Sequence, residues 1–285
     1  MSESLKLLAV FPHPDDETLG LGGTLAKYAA EGVETHLVCA TRGQRGWPGP
    51  PDAYPGTEAL GRIRVDELRC AARCLGLHQV HMLDYCDGEL DQVNRAELIA
   101  EVVSLIRRVQ PQVVVSFAQE GVYGHPDHII MAQVAAGALV CAADASFQDP
   151  AHLPAFRVPK FYATVDTKKV VAGFRKAVGQ LAMTVDGEKR AHVGWEEWAV
   201  SACLDVRAHF DAIWQAILCH QSQMPAFGSL TELPRETLQD LFAEATLVLN
   251  YSLVQRGSGM ETDLFEGIRA ASSSDLKTNA RSKTE

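Results

Sequence analysis

Four short runs of nearly continuous hydrophobicity, LKLLAVF (residues 5–11), ETHLVCA (34–40), QVHML (79–83) and QVVVSFA (112–118), most constrain how this chain can fold. Most are apolar at successive positions, so both of their faces must be covered, as in strands inside a parallel sheet. Between them lie stretches of helical period at about 17–31, 58–76 and 92–109, and another follows at about 128–143. In the third, Ile99, Val102, Val103, Ile106 and Val109 line one face and Pro111 ends the run. This alternation predicts right-handed βαβ units: an α/β fold with a mostly parallel sheet and helices on both faces. Ligands of such sheets bind beyond the carboxyl ends of the strands, so chemistry is expected in the loops that follow them.

The second half is less regular. A strand is expected at about 160–166, irregular chain at 184–200, and helices near 205–223 and 233–246. The core α/β unit is expected to end near residue 170, with the later residues serving as site walls. The segment GWPGPPDAYPGT (46–57) is too rich in Pro and Gly for a regular element and reads as a loop bordering the site. Residues 271–285 are polar and read as a disordered tail, which leaves one domain over residues 1–270.

Composition narrows the function classes. Of 285 residues, 26 are Lys or Arg and 36 Asp or Glu, a formal net charge of −10, and no long basic run exists. A grip on a phosphate backbone needs clustered cations, so nucleic acid is excluded as a partner. No apolar stretch is expected to span a bilayer, and MSESLKLLAVF reads as a first strand, not a signal peptide. Seven cysteines without a Cys-x-x-Cys pair read as reduced thiols in a cytoplasmic protein. Cys70 and Cys74, four apart on a helix, suit a metal, but nothing nearby in sequence completes that site.

Two segments carry the chemistry. FPHPDDETLGLGG (11–23) follows the first strand and packs His13, Asp15, Asp16 and Glu17 into one Pro-stiffened turn. Adjacent carboxylates repel and need a cation or donors. An equally good account of that turn alone is a helix cap by Asp16 or Thr18. YGHPDH (123–128) breaks the tie, because it follows the fourth strand at the same sheet edge and adds His125 and His128. Two imidazoles and one carboxylate with a position left open suit catalytic zinc. The same set describes a facial triad for non-haem Fe(II), so the metal's identity stays open. GLGG (20–23) is not a dinucleotide loop: Leu25 stands at the third glycine position. His78 and His81 read as surface or satisfied histidines, and Trp195, Trp198 and Trp214 as packing residues. Arg42 and Arg45 either reach the site or carry solvated loop charges.

These segments resemble the two defining motifs of the PIG-L/LmbE-like N-acetylglucosamine deacetylases, a family that includes the mycothiol- and bacillithiol-pathway enzymes. The resemblance continues through TRGQRG (41–46), RVDEL…LG (64–76), YCDGEL (85–90), LDVRAHF…CHQSQ (204–223) and ETDLFEG (261–267). It implies a Rossmann-like fold and hydrolysis of the acetamide of a small N-acetylated sugar conjugate with a divalent metal, usually zinc; family members often associate, which allows a homo-oligomer. By motif, His13, Asp16 and His128 would hold the metal and Asp15 would be the general base for attack by the metal's water. His125 would stabilise or protonate the reacting groups, Asp127 would orient His125, and Tyr123 would polarise the carbonyl. Arg64 and Asp87 would hold sugar hydroxyls. Gln44 stands where the family usually has Glu, and Ile213 where Lys is common, which leaves the role of His220 open. The residue types suit amide hydrolysis in their own right: a Lewis acid activates water, a free carboxylate takes its proton, and Asp15 or His125 protonates the leaving amine. Two rival readings use the same triad: a non-haem iron oxygenase, and a non-catalytic protein that binds a metal or an acetylated sugar.

Overall fold

A computed structural model of the chain describes residues 4–179, 182–185 and 187–269; the expected 271–285 tail lies outside the described residues. The chain runs β1 (Lys6–Phe11), α1 (Asp16–Leu19), α2 (Gly22–Ala30), β2 (Glu34–Thr41), α3 (Thr57–Leu75), β3 (Gln79–Tyr85), α4 (Arg95–Val109) and β4 (Val113–Phe117). A kinked turn, α5 (Gly121–Gly124), leads into α6 (Pro126–Ala143), β5 (Lys160–Thr164) and α7 (Lys168–Val178). A hairpin of β6 (Ala182–Val185) and β7 (Glu188–Ala191) comes next, then β8 (Ala202–Asp205), α8 (Phe210–Cys219), α9 (Met224–Thr231), α10 (Arg235–Leu241) and β9 (Glu244–Ser252).

Among the described residues these strands form a seven-stranded sheet of order β3-β2-β1-β4-β5-β9-β8. β1 pairs in parallel with β2 and β4, β2 with β3, and β4 with β5, whereas β9 runs antiparallel to both β5 and β8. The fold is therefore the Rossmann-like, mostly parallel α/β arrangement. Period-two alternation divides the core: Leu7, Ala9 and Phe11 face α2, α3 and α8, while Leu8 and Val10 face α4 and α6.

Local signals explain most element ends. Asn94 caps α4 by accepting from Ala96 N, and Gln110 ends it in the left-handed conformation just before Pro111. Gly76 ends α3 with φ 71°. The expected helix 17–31 is broken into α1 and α2 at Gly20 and Leu21. The following Gly23 lets α2 approach the later chain, since a Cβ there would sit 2.6 Å from Val206 Cγ2. α6, at 18 residues and mean hydropathy 1.3, is by length and composition long enough to cross a membrane, which corrects the expectation that no stretch is. Its apolarity is spent inside the protein, where it packs on β1, β4 and α4 with Met131, Ala132, Val134, Ala135 and Ala138 fully buried.

The expected end of the core near residue 170 is also corrected. β8 and β9 extend the same sheet, and Leu204, Leu247, Leu264 and Phe265 join its core. The expected helix 233–246 stops at Leu241 because Ala245–Leu249 pair with β5 and β8 as strand. Nor are all cysteines free: Cys70 on α3 and Cys219 at the end of α8 form a disulfide, with Cys74 Sγ 3.8 Å from Cys219. Trp198, expected to pack, is 85% exposed.

A buried ion pair holds the carboxyl-terminal segment onto the sheet. Lys160 Nζ in β5, fully buried, donates to Glu261 Oε1 at 2.8 Å; Tyr162 Oη and Arg256 Nε also donate to this carboxylate. Removing one member of such a group strands the remaining charge. Glu261→Ala is expected to lower the unfolding free energy by about 3–5 kcal/mol, measured by chemical denaturation; a loss under about 1 kcal/mol would show the pair to be solvated.

Candidate active site

The strand order reverses beside β1: β2 and β3 lie on one flank, β4 and β5 on the other. The crevice between the carboxyl ends of β1 and β4 is thus the topological switch point. Both sequence motifs converge there. After β1, Asp15 takes φ 102°, a left-handed conformation costly for a residue with a Cβ. That turn folds the Asp16 carboxylate back onto His13 N, which donates to Oδ2 at 2.8 Å. Asp16 therefore does not cap α1, and the capping account of this turn fails.

After β4, Gly121 and Val122 both have positive φ, at 65° and 67°. For a β-branched residue this is a strained conformation, and such strain concentrates at functional sites. The turn ends at His125, which caps α6 by accepting from Asp127 N at Nδ1, 3.1 Å. Burial and the nearby His13 lower the His125 pKa, so the ring is neutral and its proton sits on Nε2. The ring of His128, one turn into α6, stacks on Phe117 with centroids 4.3 Å apart.

The electrostatics centre on His13. Its Nε2 lies 3.0 Å from Asp127 Oδ2 and 3.1 Å from Asp87 Oδ1, and its Nδ1 lies 3.5 Å from Asp16 Oδ2. Burial disfavours charge on this ring, but hydrogen bonds to Asp127, Asp16 and Asp87 hold its pKa well above the ordinary value. Three buried carboxylates around one imidazole demand positive charge. His128 behaves oppositely: burial, aided by His13 and His125 against Asp16, pushes it down to about 3, which leaves a neutral ring with a lone pair.

Ligand groups at this edge fall into two overlapping sets, His13–Asp16–His128 and His13–His125–Asp127. The second is already spent. Asp127 accepts from Gly88 N and Leu90 N besides contacting His13, and His125 Nδ1 is occupied by Asp127 N. In the first, both ring nitrogens of His128 are buried without a hydrogen-bond partner, and Nε2 lies 3.5 Å from Asp16 Oδ1. Orphaned imidazole nitrogens beside a carboxylate, in a pocket of excess negative charge, fit a divalent cation. Asp127 and Asp87, both within hydrogen-bond reach of His13 Nε2, are placed as the outer carboxylates of a ligating histidine would be.

Several of these side chains have other partners than the resemblance implied. The Asp127 carboxylate, expected to orient His125, faces His13; only its main-chain N–H meets His125. Asp87, expected to hold a sugar hydroxyl, is spent on His13 and on Arg45 N at 2.9 Å. Arg64 is 4% exposed and donates to Gly43 O, Pro14 O and Asp15 Oδ2, so it braces the turn instead of facing a sugar. Only glycine fits where the 41–46 loop crosses that guanidinium, since a Cβ on Gly43 would come 2.4 Å from Arg64 Nη1. Asp15 keeps a partly accessible carboxylate, and burial raises its pKa to about 6 against the pull of Arg64.

His220, whose role sequence left open, sits beside the turn: its Nε2 lies 2.9 Å from Glu17 Oε1, and Glu17 Oε2 accepts from Asp15 N. Glu17 thus supports the strained turn from within, a role its place in an acid run did not reveal. Tyr123 stacks on His192, with centroids 5.5 Å apart, and Val193 N donates to Val122 O at 2.8 Å. The chain after β7 therefore walls the site. Arg42 and Arg45 spend their charges outside it, on Asp84 and Glu89.

Fold and site together define an α/β protein with a candidate mononuclear divalent-metal centre at its switch point. The family model described as GlcNAc-PI de-N-acetylase (PIG-L) matches residues 8–139. A 1D-myo-inositol 2-acetamido-2-deoxy-alpha-D-glucopyranoside deacetylase of Rhodococcus jostii is 32% identical over 298 residues, spanning 94% of this chain and 99% of the relative. The chain belongs to the PIG-L family. Among solved structures, N,N'-diacetylchitobiose deacetylase from Pyrococcus horikoshii aligns with TM-score 0.62 and 21% identity, over 87% of this chain and 84% of that one. GalB, the 4-carboxy-2-hydroxymuconate hydratase of Pseudomonas putida KT2440, aligns with TM-score 0.63 and 19% identity, over 89% and 99%. At these identities the likeness is one of fold alone, and a fold that serves both a deacetylase and a hydratase does not fix the reaction.

If the Asp127 carboxylate supports the centre through His13, Asp127→Asn should weaken divalent-metal binding by about 10–100-fold. Competition with a chromogenic chelator measures this, and unchanged affinity would remove Asp127 from the support of the metal.

Proposed function

We propose that the chain is a cytoplasmic, zinc-dependent N-deacetylase that removes the acetyl group from a small N-acetylglucosamine-type conjugate. The observation that carries this reading is the orphaned His128 ring beside Asp16 and His13, with Asp15 left outside that set. The naming of the Rhodococcus relative as a deacetylase of an acetamido-glucopyranosyl inositol supplies the substrate class. The family assignment favours hydrolysis over the iron-oxygenase and binding-protein readings. Five of the seven cysteines remain free, which supports the cytoplasmic placement, whereas the Cys70–Cys219 disulfide counts against it.

His13 through Nδ1, Asp16 and His128 would hold the ion. When bound, a zinc-type ion supplies a Lewis acid that polarises the acetyl carbonyl and acidifies water. Asp15, held by Arg64 and by its own strained backbone, accepts the proton of the attacking water. With its pKa at about 6, the Asp15 carboxylate is ionised at neutral pH, and a bound dication would hold it further in that form. His125 offers Nε2–H to the oxyanion that forms as the carbonyl carbon becomes tetrahedral. Tyr123, kept a neutral hydroxyl by burial, offers a second donor. Collapse expels the amine, which takes a proton from Asp15 or His125. The 46–57 loop and the chain around His192 border the crevice and select the group attached to the sugar.

Asp15→Ala is expected to keep full metal content while turnover falls by about 10²–10⁴-fold; His128→Ala is expected to lose the metal. The measurement pairs elemental analysis with amine release from a panel of N-acetylglucosaminides, beginning with the inositol conjugate. Turnover unaffected by Asp15→Ala would remove the base assignment, and no amine from any panel member would remove the deacetylase reading.

A further inference from the structure

At the opposite, amino-terminal edge of the sheet, a second group of ligand-type side chains meets. Glu34 and His36 open β2; His78 immediately precedes β3, fixed by its N–H on Thr35 O at 2.8 Å, and His81 lies within β3. One ligand atom each from Glu34, His36 and His78 lie within 4.8 Å of one another. The His36 and His78 rings are 4.9 Å apart, and those of His36 and His81 stack at 5.6 Å with 12° between planes.

His36 is 5% exposed, and its Nε2 is buried without a hydrogen-bond partner; the Glu34 carboxylate approaches it only to 3.8 Å. Its other nitrogen, Nδ1, meets His81 Nε2 at 3.4 Å. A buried imidazole nitrogen left without a partner costs about 1–3 kcal/mol. The neighbours that could satisfy it are two further imidazoles and a carboxylate. That composition does not suit a hydrophobic core. It suits an ion.

We propose that Glu34, His36 and His78 form a second metal-binding site, for a divalent transition ion of zinc type, with His81 as the positioning residue for His36. Two imidazole nitrogens and a carboxylate oxygen are the donors that such an ion takes. With His36 Nδ1–H donating to His81 Nε2, the lone pair of His36 sits on Nε2, the atom that faces Glu34. Ligating histidines are held by this kind of outer hydrogen bond. Donors bound at ~2.0–2.2 Å to one ion lie about 3–3.5 Å apart, so the three groups must close by about 1 Å. His78 is exposed and Glu34 half-buried, and both have room to turn. Lys6, 3.9 Å from Glu34, and the Ser4 hydroxyl hold that carboxylate in the open arrangement and give way as it turns. β3 is the sheet's edge strand, and its residues are mostly half-buried. An ion joining the start of β2 to the residue before β3 would staple that edge. The acetamide chemistry lies at the other end of the strands, about 15–20 Å away.

The test is a Zn²⁺ titration of the metal-free full-length protein against a chromogenic chelator, with thermal melting as a second readout. The wild type should take two equivalents and His78→Gln one, with deacetylase activity of the metal-loaded variant unchanged. His81→Gln should still take two, one of them bound about 10–100-fold more weakly. Zn²⁺ should raise the Tm of His128→Ala but not of the His78→Gln/His128→Ala double variant. Should the catalytic centre take no metal, the wild type would bind one equivalent that His128→Ala keeps and His78→Gln loses, which still supports this site. A His78→Gln protein that binds as many equivalents as the wild type overturns it.

Discussion

The meeting of three buried carboxylates on one imidazole is the constraint around which the rest of the site is arranged. Asp16, Asp87 and Asp127 come from three separate segments, and each would be expensive to bury as an isolated charge. Each has compensation at hand. Asp127 receives Gly88 N and Leu90 N, Asp87 receives Arg45 N, and Asp16 receives His13 N. The remaining negative charge is directed at His13, whose raised pKa records how strongly the pocket attracts a proton. A dication placed between His13 Nδ1, Asp16 and His128 satisfies the same field and the orphaned His128 ring together. The formal net charge of −10 therefore overstates the surface charge, because part of it is interior, in the buried carboxylates around His13.

Holding these groups in place strains the backbone at two points, one in each motif: Asp15 and Val122. Both conformations persist because rigid surroundings over-determine them. Asp15 is gripped by Arg64 on one side and by Glu17, itself bonded to His220, on the other. Val122 is tied through its carbonyl to the chain after β7. The later third of the chain is thus no passive wall. α8 delivers His220 to the turn after β1, and β9 completes the sheet on which β5 and its neighbours rest.

Much of the architecture was legible in sequence because it depends on periodicity. The first four strands and the helices between them follow from apolar spacing, with Pro111 as an end signal. The elements that escaped, α7, α9, β8, β9 and the β6–β7 hairpin in a stretch expected to be largely irregular, are short or ambiguous runs. Ala245–Leu249 suits a helix as well as a strand until β5 and β8 stand on either side of it. The candidate ligand set was legible for a different reason: His-Pro-Asp occurs twice, each time after a strand that must end at the same sheet edge. The partners of Asp127, Asp87 and Arg64 were not legible. A residue type reveals what a side chain can bind, while its partner depends on which segments lie beside it.

By itself the sequence determined the parallel α/β class and singled out His13, Asp15, Asp16, His125 and His128 as candidates at one sheet edge. Hydrophobic period and short local motifs encode all of these. Only the tertiary structure decided which carboxylates face His13 and which stays outside that cluster, that Glu17 and His220 form a pair, and that Glu34, His36 and His78 meet at the far edge. Those facts are contacts between residues tens to hundreds of positions apart. Strand order and register bring such residues together, and no local pattern carries that information.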